Sequence, residues 1–279
     1  MLGSFFWARP NKLLVALTMV STALATTAVA SDDEISTEQK HDFLAASIGD
    51  SITAAMDAER PLANREINWS TGTKNAEKVN SHALRIRALM PDKKVATRNF
   101  AISGSKSPDV VRQASLLARS RPDYVTVLVG ANDVCAWDEE HQAQLESYEH
   151  DIRKILNTLV DANKDVKILV SAIPNMPLLR DLGAANGCQS TWNRFKICPA
   201  LLGAKRTDEE RAGFARRWED ANAVLERVSA EFPQNVRFAE SASRPVFNMG
   251  HVSKIDCFHP NVNGQDYLAG MTWADGWFE

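Results

Sequence analysis

The sequence predicts an α/β domain built as a three-layer α/β/α sandwich, a parallel sheet covered by helices on both faces. Two observations carry that expectation. Short apolar runs alternate along the chain with longer segments of helical periodicity, and a parallel crossover must be right-handed and cover a face of the sheet. Two of the runs, YVTVLVG (124–130) and VKILVSAI (166–173), are almost continuous in β-branched and aliphatic residues, as in strands buried on both faces.

FLAASIG (Phe43–Gly49) reads as the first strand, TRNFAI (97–102) as the second, the two runs above as the third and fourth, and VRFAE (236–240) as the last. Residues 76–90 carry apolar side chains at helical spacing. Ser107 ahead of Pro108 predicts a helix start, with serine as N-cap and proline in the first turn. Residues 140–163 and 208–232 read as long amphipathic helices, the second opened by a capping box of Thr207 and Glu210. Residues 263–277 close the chain as a further helix. The segment 174–206 breaks the alternation, being rich in Pro, Gly and Asn, with two cysteines, Trp192 and Phe195. A connection of that length is usually functional or disordered, and its cysteines and aromatics favour an ordered loop near a site.

The N-terminus reads differently. Arg9 and Lys12 precede the apolar run LLVALTMVSTALATTAVA, which ends in small residues before Ser31-Asp32-Asp33-Glu34. This is the pattern of a secretory signal peptide over residues 1–30, cleaved after Ala30. The competing reading is an uncleaved anchor, since the run approaches the length that spans a bilayer; the Ala-x-Ala ending favours cleavage. Residues 31–279 then form one domain, with 44% hydrophobic residues over the whole chain to supply its core. Losing Arg9 and Lys12 takes the formal charge from −3 to −5. Mild acidity without a basic cluster argues against a nucleic-acid partner.

The four cysteines, Cys135, Cys188, Cys198 and Cys257, suggest two disulfides in an exported chain. Three pairings are possible. The short loop between Cys188 and Cys198 favours joining those two, leaving Cys135 with Cys257; free buried thiols are the alternative. No zinc-site spacing occurs.

Open parallel sheets bind ligands beyond the carboxyl ends of their strands. Gly49-Asp50-Ser51 follows the first strand, Ser103-Gly104-Ser105 the second and Gly130-Ala131-Asn132-Asp133 the third, while Asp256-Cys257-Phe258-His259-Pro260 lies near the C-terminus. Acyl transfer needs a nucleophile, a base, a group that orients the base, and donors for the oxyanion. Ser51, His259 and Asp256 supply the first three, and a gap of three residues lets one turn hold Asp256 against the imidazole. The backbone N–H groups of Ser51 and Gly104, with the Asn132 amide, supply the donors. Each element alone has a blander reading: a turn, a strand end, a capping pair. The ordered set, all at strand ends, points to a serine esterase.

These blocks resemble the SGNH, or GDSL, hydrolases: GDSITA with Ser51, NFAISGSKS with Gly104, VGANDVC with Asn132, and DCFHPNVNG with Asp256 and His259. INWSTG, SPDVVRQASLL, VLVGANDVC and DCFHP are most similar to the phospholipase B-like lipases of that family. The resemblance implies a flavodoxin-like sheet of five parallel strands and ester hydrolysis without cofactor or metal. It assigns the same residues to the same roles. The first block reads Gly-Asp-Ser-Ile where the family has Gly-Asp-Ser-Leu, and residues 174–206 carry no family motif that would set selectivity.

The expectation is therefore an exported, periplasmic or secreted, serine esterase acting on a small-molecule or lipid ester, with phospholipid or lysophospholipid favoured and transient contact with a membrane or micelle surface. The alternatives are a carbohydrate acetylesterase and a non-catalytic lipid or glycan binder. Trp69 and Trp137 are candidates either for an acyl pocket or for ordinary core packing.

Overall fold

The computed structural model describes residues 41–74, 76–137, 141–244 and 247–278, so the expected signal peptide at 1–30 lies outside the described residues. The unit formed by His41–Glu279 is built on five strands: β1 (Phe43–Gly49), β2 (Val95–Asn99), β3 (Tyr124–Leu128), β4 (Lys167–Ser171) and β5 (Val236–Ala239). All neighbours pair in parallel, in the order β2-β1-β3-β4-β5. This is the flavodoxin-like order, and its strand direction of travel reverses at β1, beside β3.

Among the described residues the helices are α1 (His82–Leu89), α2 (Ser107–Ala118), α3 (Ala131–Ala136), α4 (Gln142–Ala162), α5 (Met176–Ala185), α6 (Gln189–Phe195), α7 (Pro199–Leu202), α8 (Asp208–Ala230) and α9 (Val262–Ala274). None is long and apolar enough to cross a membrane. Side chains alternate across the sheet as strand geometry requires. Ala46, Ile48, Val125, Val127, Ile168 and Val170 pack with Val110 and Leu117 of α2, Ile152 and Leu156 of α4 and Val224 of α8. On the opposite face Ala45, Tyr124 and Leu169 meet Ala83 and Ile86 of α1 and Trp273 of α9.

Several boundaries differ from the sequence reading. The second strand lies at Val95–Asn99 rather than 97–102, because the chain leaves the sheet at Phe100 to form the loop that carries Gly104. The helix expected from 76 begins at His82, where the Ser81 hydroxyl accepts the Leu84 N–H. The N-cap of α2 is Lys106, one residue early: Asp109 accepts its N–H, while Ser107 turns both of its donors to Asp133. The capping box of Thr207 and Glu210 is present at α8. The segment 174–206, read as a loop, is mostly α5, α6 and α7.

The disulfides correct the expected pairing. They join Cys135 to Cys198 and Cys188 to Cys257. The reason is local. Cys188 caps α6, and a seven-residue helix rises about 10 Å, carrying the chain beyond the ~7 Å limit between the Cα atoms of bridged cysteines. Cys198, at the N-cap of α7, meets the end of α3 instead. Cys188 is thereby free to clamp the loop that holds His259, and the Trp192 indole N–H adds a bond to the Cys257 carbonyl at 3.0 Å.

Candidate active site

The residues after β1 curl at once into a turn. Ala54 N–H donates to the Asp50 carbonyl and Met56 N–H to the Ser51 carbonyl. Asp50 Oδ1 accepts the Ile52 N–H at 2.9 Å, the short-range side-chain bond for which Asp is favoured in turns. Two glutamines pin this turn from opposite sides. Gln113 of α2 accepts the Gly49 N–H at 2.8 Å and donates to the Gly49 carbonyl and the Ser105 hydroxyl, each at 3.0 Å. Gln265 of α9 donates to the Ile52 carbonyl at 3.0 Å and accepts the Trp69 N–H at 2.9 Å. Neither was legible in the sequence, since an isolated glutamine on an amphipathic helix carries no signal of its own.

The C-terminal loop brings His259 onto Ser51. His259 Nε2 lies 2.7 Å from Ser51 Oγ, and its Nδ1 makes a short hydrogen bond to Asp256 Oδ2. The other oxygen of Asp256 accepts the N–H groups of Phe258 at 2.9 Å and His259 at 3.1 Å. Asp256 is buried, which opposes its ionisation. Its bond to His259, the charge of that imidazole and the two N–H groups outweigh burial and hold its pKa below the usual carboxylate range. With Nδ1–H given to Asp256, Nε2 is left to accept the serine proton.

On the other side of Ser51, the loop after β2 folds back on β1 through Ile102 N–H to the Gly49 carbonyl, 3.2 Å. Gly104 is exposed with φ +84°, and a Cβ built there would meet nothing within 4 Å. Its glycine therefore answers to backbone conformation and open approach, not crowding. Asn132, in the first turn of α3, gives one amide hydrogen to the Ser105 carbonyl at 3.0 Å, leaving its second for a ligand. The two tryptophans settle as core: Trp69 is fully buried with its indole N–H near Thr53 Oγ1, and Trp137 is buried against Tyr148 and His141.

Two further acids lie beneath the site. Burial pushes the Asp50 pKa up to about 7, against the lowering effect of the Ile52 N–H and His259; Asp133 adds to the rise. Asp50 Oδ2 has no hydrogen-bond partner among the described residues. Asp133 is pushed up to about 6 by burial, partly offset by the Ser107 donors. A folded-state pKa above the unfolded one means that the folded chain holds the proton more tightly. Stability contributed by Asp50 is thus complete below about pH 4 and is lost as pH rises towards 7. Asp50→Asn is expected to melt close to wild type at pH 4. At pH 8 it should melt at least about 2–4 °C higher, the shift that 1 kcal/mol gives in a chain of this size. Equal melting-temperature differences at the two pH values in scanning calorimetry would contradict a buried titrating Asp50.

Fold and geometry together define a class, an open α/β sheet with a Ser-His-Asp hydrogen-bond chain at its carboxyl edge. The GDSL-like lipase/acylhydrolase family matches residues 47–267, and the chain belongs to it; it is a carboxylic ester hydrolase. No curated protein matches the sequence significantly. Among solved structures it is similar to TesA, at 17% identity and a TM-score of 0.50 over 83% of this chain and 97% of that one. It is also similar to a family 3 carbohydrate esterase from Clostridium thermocellum, at 12% identity and a TM-score of 0.50 over 83% and 94%. At these identities the likeness is one of fold.

Proposed function

We propose that the protein is an exported serine esterase that cleaves acyl-lipid esters, phospholipid or lysophospholipid among them. The observation that carries the mechanism is the unbroken chain from Ser51 through His259 to Asp256. Ser51 Oγ attacks the ester carbonyl while His259 Nε2 takes its proton, and Asp256 holds the imidazole in the productive tautomer. His259 then returns the proton to the departing alcohol. Water, deprotonated by the same nitrogen, releases the acyl group. In this mechanism the N–H groups of Ser51 and Gly104 and the second Asn132 amide hydrogen stabilise the oxyanion. Asn132→Ala is expected to lower kcat about 10²–10³-fold with little change in KM, the usual cost of one oxyanion donor. A loss under threefold in steady-state kinetics would remove Asn132 from that role.

A cleft lined by chain neighbours of the site residues supports the lipid part of this reading. It is a narrow cleft of about 80 Å³, and its lining is overwhelmingly apolar. Ile52, Ala131, Phe258 and Pro260 border it, each a chain neighbour of Ser51, Asn132 or His259, and Met176 and Leu268 lie among its other walls. Against such a lining an acyl chain gains about 0.8 kcal/mol for each methylene buried. Transient contact with a membrane or micelle surface follows from a substrate of this kind. Export is supported by the two disulfides, which persist in oxidising compartments. The tests are covalent labelling of Ser51 by a fluorophosphonate probe and, on separate unlabelled enzyme, kcat/KM across short esters, long esters, phospholipids and acetylated sugars. Long acyl esters are expected to be preferred. Preference for acetylated sugars would overturn the lipid reading, and no labelling of Ser51 would overturn the mechanism.

A further inference from the structure

A third carboxyl group touches this relay from a direction the mechanism does not use. Asp57 sits six residues after Ser51, buried, in the left-handed conformation at φ +54°. Its N–H donates to the Leu62 carbonyl at 2.9 Å and its Oδ1 accepts the Leu62 N–H at 2.7 Å, closing a small loop flanked by the Met56–Ala63 bridge. Its own carbonyl accepts the Ser253 hydroxyl at 2.6 Å. Ser253 in turn gives its N–H to the His259 carbonyl at 2.8 Å. Asp57 is therefore tied by its backbone to the C-terminal loop. A carboxylate oxygen of Asp57, one of Asp256 and a ring nitrogen of His259 all fall within 4.8 Å of one another.

Two buried carboxylates this close cannot both ionise without repulsion, and one proton shared between them relieves it. Asp256 already accepts three hydrogen bonds from His259 and Phe258, so it is the member held ionised. We propose that Asp57 is a positioning residue of the relay: as the protonated partner it donates a hydrogen bond to Asp256 and so fixes that carboxylate on His259 Nδ1. The inference rests on the Ser51-His259-Asp256 mechanism proposed above. The direction of titration agrees. Burial raises the Asp57 pKa, the Leu62 N–H pulls it down, and Asp256 pushes it up again, while Asp256 itself is lowered. Facing Asp57, the ionisable groups acting on it are Asp256 and His259. On its own loop, Arg60 is paired with Glu66 and Glu59 with Lys78.

The donor role separates two substitutions. Asp57→Asn keeps an acceptor for the Leu62 N–H and an N–H donor for Asp256; Asp57→Ala keeps neither. Asp57→Asn is expected to retain kcat within about threefold and an unmoved kcat/KM pH profile. Asp57→Ala should lose about tenfold or more in kcat at constant KM, as for loss of an interaction made beyond substrate binding. Its acid limb should also move to higher pH, because Asp256 without the donated bond carries its full charge beside the imidazole. In the wild-type protein, carboxyl ¹³C titration should show Asp57 holding its proton above the ordinary Asp range, a measurement that needs no variant. An unmoved limb in Asp57→Ala, with only its melting temperature lowered, would make Asp57 merely structural. Equal damage in both variants, or Asp57 titrating as an ordinary aspartate, would equally overturn the proposal. Ser51→Ala made alongside distinguishes the two levels: if it stays active the mechanism itself has failed, and if it is dead while the Asp57 results go the wrong way only this inference has.

Discussion

Ser51→Ala is expected to lower kcat by about four to six orders of magnitude while leaving KM within a few-fold. Removing Oγ deletes the atom that forms the acyl bond in the proposed mechanism, whereas the proposed acyl cleft is bordered by Ile52 and not by Ser51 itself. Residual turnover then reflects only the oxyanion donors and proximity, which sustain some catalysis over water without a nucleophile. His259→Ala should fall into the same range, and the double variant should be hardly worse than either single one, because the two residues act as a unit at 2.7 Å. The measurement is turnover of a chromogenic ester, with covalent labelling as a check against contaminating wild type. Retention of activity within tenfold in Ser51→Ala would end the mechanism. An additive double variant would separate His259 from Ser51.

Gly49→Ala is expected to act on the fold and not on chemistry. Gly49 ends β1 at φ +147°, a region closed to L side chains, and a Cβ built there would lie 2.2 Å from the Leu128 carbonyl oxygen. That oxygen belongs to the backbone of the neighbouring strand, so relief would require β1 and β3 to part at the point where Ser51 is delivered. The cost should exceed about 4 kcal/mol, the range reserved for backbone strain and overpacking in a core. Insoluble protein, or a urea midpoint collapsed against wild type, is the expected result; an unchanged midpoint would contradict the strain. Gly104 has no such neighbour, so of these two glycines the packing of the fold requires only Gly49, and Gly104 is left to the proposed oxyanion role.

The parts of the fold legible in the sequence were those with dense local signals. β3 and β4 announced themselves because burial on both faces demands apolar residues at every position. The Thr207–Glu210 capping box is complete within four residues. The site was legible for the same reason: Asp256 and His259 meet across one turn, and Gly49-Asp50-Ser51 is the turn that ends β1. β2 was misplaced by two residues at its start and three at its end, since its partly buried VATRN lacks the apolar continuity of the central strands. α3 was missed because six residues give too short a span for periodicity to show.

The sequence by itself determined the α/β class, the strand-end positions of Ser51, Gly104 and Asn132, and the pairing of Asp256 with His259. Each depends on residues within a few positions of one another, where spacing and backbone geometry suffice. Only the tertiary structure decided that Cys188 clamps Cys257 while Cys135 takes Cys198, that Gln113 and Gln265 brace the serine turn, and that Asp57 lies within 4.8 Å of Asp256 from 199 residues away. Those contacts depend on which faces of distant elements the sheet order brings together, and no local pattern of residue types encodes that distance.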